Sequence, residues 1–421
     1  MKIKVKSLPY EKVLSLPGER RKKPLRPSWF FRTLLKTLSA GELKDVDFCL
    51  TEENMDRLGP DEPALFLMNH SCFLDLKIAA TILYPRPFNI VCTSDGFVGK
   101  DWLLRHLGCI PTQKFVSDPA LVRDMAYALN RLHTSVLLYP EASYSFDGTA
   151  TPLPDTLGKL LKLLKVPVVM IKTQGAFLHD PLYNGLQPRR VPVRATMGYL
   201  LSPADIEEKS VAELNAILKE QFTFDGFRYQ REQGIRIAES FRADGLNRVL
   251  YKCPACGIEG RMEGKGIHLT CHSCQKVWTL TELGTLEAED KQPIFDHVPD
   301  WYAWERQQVK GEIESGAYRL DVPVDICLLV DTKCIYRVGT GRLVHDETGF
   351  TLTGCDGRLR YHQSPAASYS LYADYFWYEL GDMICIGDSK TLYYCFPQTK
   401  GDLVAKTRLA AETLYERQRK S

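Results

Sequence analysis

The segment LFLMNHSCFLDLKIAATIL, residues 65–83, contains the signal that decides the fold. Its opening LFLM is a short apolar run typical of a buried strand, whereas FLDLKIAATIL has the periodicity of a helix. We predict that Ser71 caps this helix, which leaves His70 in the turn between strand and helix. In a regular helix, positions five apart point roughly 140° away from each other. Asp75 can therefore meet His70 only by reaching back from the first turns of the helix.

Strands and helices are predicted to alternate from about residue 60 to 200. The apolar runs FNIVCT, SVLLYP, VPVVMI and VRATMGYLL alternate with the helical patterns DPALVRDMAYALNRL and PDTLGKLLKLL. Such alternation indicates an α/β layer.

The composition indicates a multidomain protein. The chain has 421 residues, of which 44% are hydrophobic, enough for more than one core. Its 13 cysteines are odd in number and no export signal begins the sequence, so we expect a cytoplasmic protein. No apolar run reaches the ~20 residues that a membrane-spanning helix needs.

The segment NHSCFLD resembles the N-H-x4-D motif of the glycerolipid acyltransferases, the family that includes 1-acylglycerol-3-phosphate acyltransferase. Three later segments resemble further blocks of that family in the same order. They are GKDWLLRHLGCIPTQK at 99–114, LLYPEASYS at 137–145, and VPVVMIKTQGAF. The resemblance implies a mixed sheet flanked by helices over residues 55–245.

The resemblance also implies a chemistry. Acyl transfer from a thioester to an alcohol requires a base for the hydroxyl proton, and an imidazole titrates near working pH. His70 is the candidate base, and Asp75 would orient its ring and stabilise the imidazolium. The family implies direct attack by the acceptor hydroxyl, while Cys72 is an alternative nucleophile. The donor is expected to be acyl-CoA or acyl carrier protein, and the acceptor a lysophospholipid, 1-acylglycerol-3-phosphate first, in phospholipid biosynthesis.

The third block departs from the family pattern. Ala142, Ser143 and Tyr144 replace the family's Gly, Thr and Arg, and Lys114 replaces the Arg that commonly ends the second block. A lysine attracts phosphate as a point charge but lacks the fork of arginine. The residues expected to shape the site or hold the acceptor are Asn69, Lys114, Glu141 and Ser143.

Four cysteines between residues 246 and 290 have zinc-ribbon spacing. Cys253 and Cys256 form one C-x2-C pair, and Cys271 and Cys274 form another. Four thiolates can hold one tetrahedral zinc and leave no open position, so the zinc is expected to be structural. Disulfides are the alternative, and His268 or His272 could replace one ligand. The segment has few basic or stacking residues, so no nucleic acid partner is expected.

The N-terminal residues 1–54 are expected to form a basic amphipathic segment. In SWFFRTLLKTL, the apolar residues follow a helical stripe, and a basic cluster lies before and within it: Arg20, Arg21, Lys22, Lys23, Arg26, Arg32 and Lys36. One interpretation is a helix lying on the inner face of the membrane, which makes the protein peripheral. The other is an ordinary surface helix on the catalytic core.

The remainder of the chain is predicted to hold a linker helix at 291–320 and a β domain at 321–421. Many short β-rich segments closed by one helix, DLVAKTRLAAETLY, resemble the small barrel of pleckstrin-homology or GRAM domains. Two alternatives remain open for the whole chain: an acyltransferase for another lipid acceptor, and a catalytically silent lipid-binding regulatory protein.

Overall fold

The structure is a computed structural model that describes residues 3–18, 21–116, 118–399 and 401–420. Arg20 of the predicted basic cluster lies outside the described residues. In chain order, the first part contains β1 Val5–Ser7, α1 Tyr10–Leu14, α2 Trp29–Asp45, β2 Cys49–Glu53, β3 Leu65–Met68, α3 Leu74–Ile82, β4 Phe88–Thr93, α4 Asp101–His106, β5 Cys109–Thr112, α5 Pro119–Asn130, β6 Ser135–Leu138, α6 Leu157–Leu164, β7 Val168–Gln174, α7 Ala176–His179, β8 Arg194–Leu201, α8 Pro203–Glu208, α9 Val211–Phe222 and α10 Gly226–Glu232.

A mixed seven-stranded sheet organises this first part. Its strand order is β2-β8-β7-β3-β6-β4-β5, and the five strands from β7 to β5 are parallel. All four residues of the central β3 are buried, because apolar cores cover both faces of the sheet. The predicted α/β layer is therefore present. The ends of β3 and β6 lie side by side, which brings the turn after β3 next to the segment after β6.

The second part of the chain holds two antiparallel sheets and two long helices. Its elements are β9 Met262–Lys265, β10 His268–Cys271, β11 Val277–Leu280, β12 Leu286–Ala288, α11 Val298–Glu314, β13 Leu320–Leu329, β14 Ile335–Asp346, β15 Gly349–Gly354, β16 Leu359–Gln363, β17 Tyr372–Asp374, β18 Met383–Gly387, β19 Leu392–Pro397 and α12 Leu403–Lys420. Strands β9 to β12 form a small four-stranded sheet.

The C-terminal sheet has the order β16-β15-β14-β13-β19-β18-β17 and is antiparallel throughout these seven strands. An eighth strand comes from the other end of the chain, because β1 pairs in parallel with β14. Strand β2, from the same N-terminal segment, instead pairs with β8 of the first sheet. The N-terminal 54 residues thus contribute one strand to each of the two large sheets.

The C-terminal sheet contacts the first part of the chain at the edge where β4, β5 and β6 end. The Tyr372 hydroxyl donates to Asp95 Oδ2 at 2.7 Å, and Trp377 Nε1 donates to the same oxygen at 3.0 Å. The Tyr369 hydroxyl donates to the carbonyl of Pro140 at 3.3 Å. These bonds fix the C-terminal sheet over the ends of the parallel strands.

Helix α2 carries an exposed apolar face, formed by Trp29, Phe30, Leu34 and Leu38. Trp29, Phe30 and Leu38 are 64%, 60% and 69% exposed, and Leu34 is also exposed. The helix is joined to α3 by an ion pair of Glu42 with Lys77. Within the described ranges, no helix is both long and apolar enough to cross a membrane.

Two residues of the basic cluster form ion pairs with the protein's own carboxylates. Arg21 forms ion pairs with Asp118 at 2.9 Å and with Asp124 at 2.8 Å, and Lys22 pairs with Asp101 at 3.0 Å. Lipid phosphates would have to compete with these carboxylates of α4 and α5 for the charges of Arg21 and Lys22. Attachment of this segment to a membrane stays a prediction.

Candidate active site

The turn between β3 and α3 brings His70 and Asp75 together. His70 Nδ1 lies 3.0 Å from Asp75 Oδ2, and the backbone N–H groups of Ser71 and Cys72 donate to the same oxygen at 2.7 and 3.1 Å. The prediction that Ser71 caps the helix is wrong. Helix α3 begins two residues later, with Phe73 at the N-cap position and no side-chain cap. Instead, the Asp75 carboxylate accepts hydrogen bonds from the free N–H groups of this turn. These bonds hold the carboxylate next to the imidazole of His70.

The imidazole of His70 is kept neutral by its surroundings. Burial lowers its pKa, while the hydrogen bond and charge of Asp75 oppose that shift and Lys114 adds to it. The ring is stacked on Tyr139 at 4.2 Å and tilted against Tyr144 at 4.3 Å between ring centres. The side chain is 18% exposed, and no described residue forms a hydrogen bond with its Nε2. Since Nδ1 faces Asp75, Nε2 is the nitrogen that can accept a proton from a ligand.

Glu141 supports the backbone of this turn from the strand end beside it. Its Oε2 accepts from the His70 N–H at 2.8 Å, and its Oε1 accepts from the Thr151 N–H and hydroxyl at 2.8 and 3.1 Å. Burial raises the pKa of Glu141 to about 7, against the opposing effect of these hydrogen bonds. Ala142 follows with φ of 57°, so this chain keeps a left-handed turn where the family has glycine.

Two other predicted site residues are enclosed by protein. The Asn69 amide oxygen accepts from the Thr173 N–H at 2.7 Å, and its amide nitrogen donates to the Thr173 carbonyl at 3.1 Å. This favours a role in joining the ends of β3 and β7 over the predicted contact with substrate. Ser143 is also buried, and its hydroxyl has no hydrogen-bond partner among the described residues.

A cavity of about 1660 Å³ opens beside His70. Of the four predicted acceptor-binding residues, Lys114 lines this cavity, whereas Asn69, Glu141 and Ser143 are not among its described lining. Much of its wall comes from residues that the sequence reasoning missed: Tyr139, Asp180, Tyr372 and Asp374. No sequence signal marked Tyr372 or Asp374, because they reach the cavity only through docking of the C-terminal sheet.

The alternative nucleophile Cys72 is poorly suited to that role. Its side chain is fully buried, and burial together with the neighbouring carboxylates raises its pKa well above that of a free thiol. A thiol held in its protonated form is a weak nucleophile. The geometry therefore favours His70 acting on the acceptor hydroxyl directly.

The four cysteines of the predicted ribbon converge beside the four-stranded sheet. All four Sγ atoms lie within 4.8 Å of one another, with Cys253 to Cys274 at 3.7 Å and Cys256 to Cys271 at 3.8 Å. These separations match the edge of a tetrahedron of sulfurs about 2.3 Å from a central zinc, and they are far too long for disulfides. His272 instead faces Glu263 and His268 faces Thr279, so the donor set that fits a metal is the four thiolates.

Residues 49–172 match the family model described as Acyltransferase. The match falls on the part of the chain that contains the motifs and confirms their resemblance to the acyltransferases. A similar solved structure is the 1-acyl-sn-glycerophosphate (LPA) acyltransferase PlsC from Thermotoga maritima, with 14% sequence identity and a TM-score of 0.34. The match covers 45% of this chain and 78% of that protein. Among curated proteins, none matches the sequence.

Proposed function

We propose that the chain transfers a fatty acyl group from acyl-CoA or acyl carrier protein to the hydroxyl of a lysophospholipid. The observation that carries this proposal is the hydrogen bond between His70 Nδ1 and Asp75 Oδ2, which are 3.0 Å apart. This pair lies at the wall of a large cavity, in the part of the chain that matches the acyltransferase family. A silent regulatory protein would not need an imidazole that is held neutral and oriented in this way.

The proposed reaction proceeds by direct attack. His70 Nε2 accepts the acceptor's hydroxyl proton while the hydroxyl oxygen forms a bond to the thioester carbonyl carbon. The carbon–sulfur bond then breaks, and the imidazolium returns the proton to the departing thiolate. Asp75 fixes the tautomer and stabilises the imidazolium, and Glu141 holds the backbone that carries His70.

Two acceptor classes are candidates within this reaction. The sequence predicts 1-acylglycerol-3-phosphate, which is supported by the ammonium of Lys114 in the cavity. A lysophospholipid or other lipid acceptor with a different head is supported by Tyr144, which lies 4.3 Å from the His70 ring where the family has an arginine.

The other domains are proposed to support the catalytic one. The proposed units are an N-terminal segment at 1–54, an acyltransferase domain at 55–245, a zinc ribbon at 246–290, a linker helix at 291–320 and a PH/GRAM-like β domain at 321–421. Zinc on the four thiolates would be structural, because a closed tetrahedral set leaves no position for substrate. The exposed apolar face of α2 supports peripheral attachment to the inner face of a cytoplasmic membrane.

The direct test is an acyl-transfer assay with the purified full chain. Labelled acyl-CoA and acyl carrier protein donors are each offered with a panel of lysophospholipids, and products are identified by mass spectrometry. We expect a diacyl product and release of the free thiol with at least one pair. The proposal would be contradicted if folded protein, assayed in the presence of lipid vesicles, acylated no lipid of the panel.

A further inference from the structure

Among the charged residues that line the cavity, Lys114 and Asp374 come from different parts of the chain. Lys114 follows β5 in the acyltransferase domain, whereas Asp374 ends β17 of the C-terminal sheet. Each influences the titration of the other, but among the described residues they form no ion pair with each other. Lys114 and Asp374 therefore present two separated groups of opposite charge to the cavity.

The carboxyl group of Asp374 is only partly hydrogen-bonded, by the backbone N–H of Tyr375. Its Oδ1 is buried and receives no hydrogen bond from the described residues. Burial raises its pKa to about 7, and the charge of Lys114 opposes that shift. A buried carboxyl oxygen without a donor is costly, and because Asp374 lines the cavity, a ligand there can supply the missing donor.

The ammonium of Lys114 is held in place by the C-terminal sheet. Its Nζ lies 4.4 Å from the centre of the Tyr372 ring. That ring is fixed because the Tyr372 hydroxyl donates to Asp95 Oδ2 at 2.7 Å and accepts from Trp377 Nε1 at 2.9 Å. The lysine therefore gains, through packing, part of the fixed geometry that an arginine fork would supply.

Three aromatic residues share the cavity wall with Asp374. Phe376, Trp377 and Tyr378 follow Asp374 in sequence and line the same cavity. The rings of Phe, Trp and Tyr attract organic cations at their faces, and an ionised carboxylate on the same wall adds a negative charge. This part of the cavity wall suits an ammonium group.

We propose that Lys114 and Asp374 form a head-group subsite for a zwitterionic lysophospholipid, with the phosphodiester at Lys114 and the head-group ammonium at Asp374. The proposal rests on the proposed function and names its acceptor class, of which a lysophosphatidylethanolamine is the simplest probe. A phosphodiester carries a single charge, which one ammonium can balance. A phosphate monoester brings close to two negative charges toward Asp374 and offers it no cation, so 1-acylglycerol-3-phosphate is the poorer match.

The test compares two acceptors that differ only in the end of the head group. Lysophosphatidylethanolamine and lysophosphatidylglycerol share the phosphodiester, but lysophosphatidylglycerol carries hydroxyls in place of the ammonium. A third acceptor, 1-acylglycerol-3-phosphate, represents the phosphate monoesters. Saturation curves are measured for the wild type, Asp374→Asn and Lys114→Met. The matched control is Asp356→Asn, an exposed aspartate of the same domain outside the cavity lining. Thermal unfolding of each variant checks that the fold persists.

The wild type is expected to have its lowest KM for lysophosphatidylethanolamine. Asp374→Asn should raise that KM by about tenfold or more and leave the KM for lysophosphatidylglycerol nearly unchanged, because one charge-assisted contact is lost. Lys114→Met should raise the KM for both phosphodiesters, leaving that for the acyl donor unchanged. Asp356→Asn should leave the KM values for both phosphodiesters unchanged.

Two results would overturn the subsite. One is an equal effect of Asp374→Asn on lysophosphatidylethanolamine and lysophosphatidylglycerol, and the other is a wild-type preference for 1-acylglycerol-3-phosphate that Asp374→Asn leaves intact. In either case acyl transfer itself persists, so the proposed function survives. If the wild type acylates neither these three acceptors nor any other lysophospholipid of the panel, the proposed function fails as well.

Discussion

The backbone N–H of His70 donates to Glu141 Oε2 at 2.8 Å, so the residue that ends the strand segment SVLLYPE holds the turn that carries the candidate base. Glu141 is fully buried and also binds Thr151, which ties two loops to one carboxyl group. Replacing it with a residue that cannot accept hydrogen bonds leaves buried donors unpaired and allows His70 to shift.

We expect Glu141→Ala to lower kcat by about tenfold to a hundredfold, because displacement of a catalytic group by about 1 Å has effects of that size. The free energy of unfolding should fall by about 1–3 kcal/mol as the N–H groups lose their acceptor. Steady-state kinetics and urea unfolding measure the two effects. Glu208→Ala, at an exposed glutamate of α8, is the control and should leave both unchanged. Wild-type kcat in Glu141→Ala would show that this bond does not position His70.

The buried Asp180 predicts a dependence of stability on pH. Burial raises its pKa from 3.8 to about 7, so between these values the folded protein binds a proton that the unfolded chain does not. The stabilisation that this proton provides is fully present below the unfolded pKa of 3.8 and is lost as pH rises to about 7, by up to about 4 kcal/mol. Asp180→Asn should flatten the decline of unfolding free energy between pH 4.5 and 7.5.

The control for this measurement is Asp56→Asn, at an exposed aspartate outside the cavity lining, which should keep the wild-type slope. Unfolding in urea at a series of pH values gives the slopes. The interpretation fails if Asp180→Asn and wild type lose stability in parallel across this range.

The thiolate cluster predicts about one bound zinc per chain. Cys271→Ser removes one of four ligands and should lower the zinc content and the stability of the four-stranded sheet, since a structural metal contributes folding free energy. Elemental analysis of purified protein measures the metal. Cys49→Ser, an exposed cysteine outside the cluster, should leave the zinc content unchanged. Wild-type protein without metal, or equal zinc in Cys271→Ser, would argue against the ribbon.

The apolar face of α2 predicts binding to bilayers that depends more on apolar contact than on charge. Because Arg21 and Lys22 are paired with the protein's own carboxylates, binding to anionic vesicles should weaken little as salt rises. Phe30→Ser combined with Leu38→Ser should reduce co-sedimentation with vesicles, because both side chains are exposed. Leu14→Ser, at an exposed leucine outside α2, is the control. Unchanged binding by the α2 variant would assign attachment to another surface.

Local patterns in the sequence predicted much of the fold. The run FNIVCT coincides with β4, and the helix after His70 has the expected period and lies over Leu74–Ile82. The choice of Ser71 as the cap failed because the Asp75 carboxylate competes for the same N–H groups, and that competition depends on a turn whose geometry the sequence does not specify.

Long-range contacts could not be predicted from the sequence. The three residues of β1 are too short to have a period, yet they pair with β14 near the other end of the chain. Tyr372 and Asp374 likewise reach the cavity only because a separate sheet docks there. The family motifs identified the side of the site that contains His70, and only the packing of the C-terminal sheet revealed the opposite wall.

The central claim is that His70 is the base for acyl transfer. The most direct measurement is the initial rate of acyl transfer to a lysophospholipid by His70→Ala, with His362→Ala at an exposed histidine of the C-terminal sheet as the control. We predict that His70→Ala loses about 10²- to 10⁴-fold in rate, with thermal unfolding close to that of the wild type, while the control retains its activity. A wild-type rate in folded His70→Ala would contradict the account.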